Sequence, residues 1–183
     1  MPVIISENLP ARKTLDDERV PYITAGSALR QDIRPLEVIL LNLMPDKIQT
    51  ETQILRALGS TPLQINIHLM HMATHKSKNT AADHLKSFYK SFAEISAHKY
   101  DGIIITGAPI AHLPYEDVDF WGELKGIMDW ADSEVFSNFF ICWGAKAALY
   151  HRYKLQKHEM QQKLFGLYVQ KLTTLFHPLV NGF

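Results

Sequence analysis

Thiols are nearly missing from this sequence: Cys142 is the one cysteine among 183 residues. A single thiol excludes an intrachain disulfide and a cysteine-cluster zinc site, and no metal centre is expected. Excess charge of either sign is also missing, because 19 Lys and Arg balance 19 Asp and Glu. That balance argues against a dedicated nucleic-acid surface or a polybasic membrane surface. No apolar run approaches the length of a membrane span. Met1 to Pro10 lack the charged-then-apolar pattern of a secretion signal, so a reducing, cytoplasmic setting is expected. Repeats, low-complexity tracts and linkers are absent too. What is left is one domain, long enough to bury a real core.

The chain is organised around Phe139-Phe-Ile-Cys-Trp-Gly-Ala-Lys-Ala-Ala148. A short apolar run leads into Cys142, and small residues then open a helical pattern. The stretch reads as strand, tight turn, helix, with the thiol at the turn. A nucleophile there lies at the carboxyl end of a strand, where open α/β sheets keep their sites. It also lies at the amino end of a helix, whose unpaired N–H groups and dipole favour a thiolate and a developing oxyanion. The arrangement is the cysteine counterpart of the serine nucleophile elbow. A lone cysteine after an apolar strand also reads as a small buried hydrophobe, and the local pattern leaves both readings open.

In chain order, residues 1–33 read as an irregular arm interrupted by Pro2, Pro10 and Pro21, with a short helix near 14–19. Leu36 to Leu43 is nearly all apolar, as in a parallel strand buried on both faces. A helix is predicted over 48–58, ended by Gly59. Leu63 to Met72 alternates as a second strand. Thr80 opens a helical pattern carrying Leu85, Phe88, Tyr89 and Phe92, with Thr80 and Asp83 as a weak capping box. Ile103 to Ile105 is a third strand, 117–131 an amphipathic helix, and Ser137 to Ile141 the fourth strand. The order implies an α/β fold with a doubly wound parallel sheet, core 34–152. The loops at 44–47, 106–116 and 142–144 should then converge on one rim. Residues 153–183 read as the start of a truncated C-terminal portion, with a strand over Leu164 to Leu172. The sheet edge this leaves invites pairing with another chain, so a homodimer is expected.

Three motifs stand together: Leu41-Asn42-Leu43-Met44-Pro45, Thr106-Gly107-Ala108-Pro109 and Cys142-Trp143-Gly144-Ala145. With them the chain resembles the homoserine O-acyltransferases of methionine biosynthesis, the homoserine transsuccinylase family. The likeness runs from Met1 to about Gly182. It includes Ile33-Arg34-Pro35, Asn79-Thr80, His84-Leu85 with Phe88-Tyr89, and Lys163 with Gly166. It implies a glutamine-amidotransferase-like, flavodoxin-like three-layer fold and ping-pong acyl transfer, with acyl-CoA as substrate and no cofactor. The residue matching Cys142 would take the acyl group as a thioester, and the hydroxyl of L-homoserine would attack it. Lys163 would bind substrate, Lys47 matches a loop lysine beside the site, and Ala111 occupies the position that tunes donor choice. Backbone N–H groups at Trp143 and at the Leu43–Met44 loop would form the oxyanion hole.

Departures from the family pattern keep other readings open. The family's base, a His with a Glu two residues later, lies downstream of the matched region. Val169-Gln170 stands where members commonly carry Glu-His. Ala111 is neither the Glu that goes with acetyl-CoA nor the Gly that goes with succinyl-CoA; the surrounding sequence is closer to the acetyl branch. Among nine histidines, His112 is the best-placed local substitute for the base. L-Serine differs from homoserine by one methylene, worth only about 1–3 kcal/mol in a pocket. The alternatives are a serine O-acetyltransferase of the same family, a non-catalytic member, and an unrelated hydrolase of the glutamine-amidotransferase-like fold.

Overall fold

The computed structural model describes residues 3–75, 79–162 and 164–173. The elements run β1 (Val3–Ile5), α1 (Ala11–Asp17), β2 (Tyr22–Thr24), α2 (Ala25–Ala28), β3 (Leu36–Leu41), α3 (Lys47–Gly59) and β4 (Ile65–Met70). Then follow α4 (Ala82–Phe88), β5 (Tyr89–Lys90), α5 (Phe92–Ile95), β6 (Tyr100–Ile105), α6 (Trp121–Glu134), β7 (Val135–Phe140) and α7 (Trp143–Tyr153). The sheet is parallel throughout, in the order β2-β1-β4-β3-β6-β7. The four strands expected from the sequence stand as β4-β3-β6-β7, the doubly wound order in which the chain reverses direction across the sheet beside β3.

Strand β3 is the centre, pairing Leu36 to Leu41 with Ile65 to Met70 on one side and Val38 to Leu41 with Gly102 to Ile105 on the other. Its alternation splits the core in two. Ile39 and Leu41 join Ile103, Ile105, Leu124, Ile127 and Met128 on the face covered by α6 and α7. Leu40 faces the opposite way, with Val3, Leu15, Leu55 and Leu69 under α1 and α3. Each fully buried aliphatic side chain contributes roughly 1.5–3 kcal/mol, so the two layers clamp the sheet from both sides. Ala147 and Ala148 let α7 approach the sheet closely.

Three expectations are corrected. The arm expected over 1–33 is not irregular in its described residues, 3–33. Val3-Ile4-Ile5 is a buried triplet that pairs β2 on one side and the start of β4 on the other. The triplets are too short to show alternation, and the prolines punctuate rather than interrupt: Pro10 is the N-cap of α1 and Pro21 precedes β2. The helix expected over 80–92 stops at Phe88. Tyr89-Lys90 forms a parallel ladder with Leu69-Met70, and α5 begins afresh behind a Ser91–Glu94 capping box. Thr80 does not cap; its hydroxyl donates to Pro45 O at 3.2 Å and so ties this loop to the one after β3. Finally, the described residues of 164–172 form no strand, and Phe165, Leu167 and Val169 are exposed. Apolar composition suits a strand, but a strand needs a backbone ladder, and the sheet formed by the described residues does not include this segment.

Candidate active site

The turn after β7 is built by close backbone approach. Ile141 N–H still donates to Ile105 O at 2.9 Å, continuing the β6–β7 ladder. The next residue, Cys142, has φ 54° and ψ −114° and is the N-cap of α7. That conformation costs a non-glycine residue on the order of 1–3 kcal/mol and persists only where the surroundings enforce it. Here Gly144 N–H donates to Ile141 O at 3.0 Å and Lys146 N–H to Cys142 O at 3.2 Å. Two glycines make the space. A Cβ at Gly107 would lie 3.1 Å from Cys142 Cβ, and one at Gly144 would lie 2.6 Å from Thr106 O. The thiol-bearing residue is exposed while Trp143 beside it is buried. The Trp143 N–H is the first of the helix and has no carbonyl of its own helix to donate to.

The loop after β3 is pinned by Asn42. Its Nδ2 donates to Lys47 O at 3.2 Å and to Tyr89 Oη at 3.0 Å, and its Oδ1 accepts from Met44 N–H at 3.1 Å. Thr106 joins this loop to the one after β6: its hydroxyl accepts from Leu43 N–H at 2.8 Å and donates to Gly107 O at 3.1 Å. Between them lies a cavity of about 250 Å³. Its walls come from the loop after β3 (Leu43, Met44) and the first residue of α3 (Lys47), the loop after β4 (His71, Met72, His75) and the loop after β6 (Ala108, Pro109, Ile110).

Lys47 is nearly buried, with Nζ donating to Asn42 O at 2.5 Å and Met44 O at 3.4 Å. Burial pulls its ammonium down from the ordinary 10.5 to about 8, against an opposite push from the charge of Glu51. Between about pH 8 and 10.5 the unfolded chain binds a proton that the folded chain has released, so stability from this group rises with pH there. Below about pH 8 both states bind it and the burial penalty is complete. Lys47→Met should therefore flatten the rise in urea midpoint between pH 8 and 10.5; an unchanged rise would locate the titration elsewhere.

Glu51 itself is fully buried. Its Oε1 accepts from Tyr89 Oη–H at 2.6 Å and meets His84 Nε2 at 2.9 Å, while its Oε2 meets no hydrogen-bond partner among the described residues. Burial beside this carboxyl pushes the Tyr89 phenol well above its usual range, so it stays a donor. On the other wall, His75 Nδ1 lies 2.7 Å from Asp119 Oδ2, and the same loop is clamped by Glu123, which accepts from Ala73 N–H, Thr74 N–H and Thr74 Oγ1–H.

A sequence profile of the homoserine O-succinyltransferase family matches residues 2–183. The chain belongs to the homoserine O-succinyltransferase family. Among its curated relatives, the homoserine O-acetyltransferase of Petrotoga mobilis is 51% identical over 183 residues, covering all of this chain and 59% of that protein. Those of Bacillus cytotoxicus and Clostridium novyi are each 50% identical, with the whole chain matched to 61% of their length. The chain thus spans about three fifths of the length of these relatives.

Against the family's expected site, the structure brings Leu43 and Lys47 to the cavity and sets Cys142 and Trp143 against Gly107, next to cavity-lining Ala108. In this structure the Leu43 and Met44 N–H groups donate to side-chain oxygens of Thr106 and Asn42. Ala111 is exposed and does not line the cavity; its carbonyl accepts from Lys157 Nζ at 2.8 Å. His112 is likewise exposed and off the cavity. Lys163 lies outside the described residues. The sequence reading gave no site role to Asn42, Glu51, His71, His75 or Thr106. The signal for the two histidines was topological: the loop after β4 must share the rim with its neighbours. Among the described residues no helix is long and apolar enough to cross a membrane, and no cluster of His, Cys, Asp and Glu has the makings of a metal site.

Proposed function

We propose that this chain carries the nucleophile and part of the acceptor pocket of a homoserine O-acyltransferase. In the first half-reaction the Cys142 sulfur forms a bond to the acyl carbon of acyl-CoA and the CoA thiolate leaves. In the second, the hydroxyl oxygen of L-homoserine attacks that carbon and releases the Cys142 thiolate, and the hydroxyl proton passes through solvent to the departed CoA thiolate, so the products are the O-acyl ester and the CoA thiol. The observation that carries the reading is the Cys142 backbone, held at φ 54° at the head of α7 with its residue exposed. A sulfur so held is reachable, and the Trp143 N–H beside it can meet the oxyanion. Acetyl-CoA is the favoured donor, since the relatives described above are named acetyltransferases. Work in methionine biosynthesis in the cytoplasm follows from the same reading.

Intact-mass measurement after incubation with acetyl-CoA or succinyl-CoA tests it. One acyl mass should be added, should be discharged by L-homoserine, and should be lost in Cys142→Ala. Discharge by L-serine alone would make the serine acyltransferase reading the better one, and no adduct on a folded chain would favour the non-catalytic reading.

The same proposal extends to a homodimer through β7. This strand bonds β6 on one side only among the described residues, and Phe136 is 94% exposed on it. A strand edge and a bare aromatic side chain invite a partner. Phe136→Lys should shift the sizing peak at micromolar concentration from dimer to monomer; a monomer before substitution would contradict the dimer.

A further inference from the structure

Lys47 makes no direct ion pair among the described residues, and the charge of Glu51 reaches its ammonium only at longer range. Lys47 is 7% exposed, its ammonium meets only two backbone carbonyls and the face of Tyr89 at 5.7 Å, and no carboxylate lies within ion-pair distance among the described residues. Buried cations are ordinarily paired, because an unpaired charge in a low-dielectric setting is costly. The described lining of the adjoining cavity holds Lys47, His71 and His75 and not one Asp or Glu. The acids nearest these bases are not among the lining residues. Glu51 is turned to Tyr89 and His84, and Asp119 takes His75 Nδ1. His71 Nδ1 is taken by Met72 O at 3.0 Å, with Glu94 the acid whose carboxyl feels this ring. Each ring is therefore left with Nε2 as the nitrogen without a hydrogen-bond partner among the described residues. The remaining walls include Leu43, Ile110 and Phe120, which suit a short aliphatic stem.

We infer that this cavity is a carboxylate subsite, in which Lys47 Nζ, with His71 and His75 beside it, takes the carboxylate of a short aliphatic ligand whose reacting end lies towards Cys142. The inference rests on the transfer reading for its ligands. Two sources share the chemistry: the α-carboxylate of the acceptor amino acid, or the distal carboxylate of a dicarboxylic acyl group.

Side-chain NMR of the lysine-labelled chain tests it, with the Lys47 signal assigned through Lys47→Arg. Succinate, L-homoserine and homoserine lactone, which lacks the carboxylate, are added in turn. A bound carboxylate should raise the Lys47 titration midpoint by on the order of one pH unit. A shift with L-homoserine and not with succinate identifies the acceptor as the source, the reverse identifies the acyl group, and a shift with both establishes a general carboxylate site. No shift with either at tens of millimolar, or an equal shift with the lactone, overturns the inference. The shift should persist in Cys142→Ala, which cannot be acylated. Acylation of Cys142 without a Lys47 shift would defeat the subsite alone, and a shift without acylation would defeat the transfer reading alone.

Discussion

Gly144→Ala should lower the melting temperature by roughly 6–12 °C, the equivalent of about 3 kcal/mol for a domain of this size. The new Cβ would stand 2.6 Å from Thr106 O and 3.0 Å from Ile105 O. Both obstacles are backbone of β6 and its loop, so neither can swing aside as a side-chain tip would. Relief requires α7 to lift from the sheet, and Cys142 leaves its enforced conformation as it does. Acylation should therefore fall along with stability. Gly122→Ala and Gly126→Ala serve as the contrast. Both glycines lie in α6 with nothing within 4 Å of the added carbon. Alanine should stabilise there by up to about 1 kcal/mol each, because glycine is the weaker helix former. Thermal melts of the three variants measure this directly; a Gly144→Ala protein as stable as the parent would mean the elbow is looser than described.

The second large effect belongs to Glu51. Glu51→Ala should cost about 3–5 kcal/mol, since it strands the Tyr89 hydroxyl and the His84 ring in the interior and leaves a void. The neighbours decide whether the loss is polar or merely volumetric. Glu51→Leu keeps much of the volume but leaves the same donors unpaired; adding Tyr89→Phe removes one of them. The double variant should thus be more stable than the sum of the two single losses predicts, as expected for residues in one network. Urea unfolding of the cycle gives the coupling. Simple additivity would show that Glu51 acts by packing and not through its hydrogen bonds. Without Glu51, the Lys47 ammonium also loses the charge that supports it and should titrate below about 8.

The parts legible in the sequence were those written in long patterns. The runs Leu36 to Leu43 and Ile103 to Ile105 are apolar enough to be central strands, and β3 and β6 are central. Cys142 could be placed at a strand-to-helix turn because the apolar run stops there and Gly144 and Ala145 begin the helix. Short strands were illegible: three residues such as Val3-Ile4-Ile5 carry no period, and their strand character comes from β2 and β4 on either side. Tyr89 continued a helical face in the sequence, yet it ends as a strand residue because its hydroxyl and its backbone both find partners across the rim. Glu51 was readable in principle. Lys47, Glu51 and Leu55 recur every fourth residue on the buried side of α3, but a charged pair there looks like a solvated face until the neighbours are known. His71 and His75 were hidden for another reason, since no local pattern marks a loop residue whose partner, such as Asp119, is 44 positions away.

The central claim is that the sulfur of Cys142, and no other nucleophile, receives the acyl group. Lys47 is the natural rival, because a lysine titrating near 8 carries an appreciable neutral fraction at neutral pH. Peptide mapping by mass spectrometry after incubation with acetyl-CoA separates the two. The account predicts a hydroxylamine-labile acetyl group on the peptide containing Cys142. A stable acetyl amide on Lys47, with Cys142 unmodified, would contradict it.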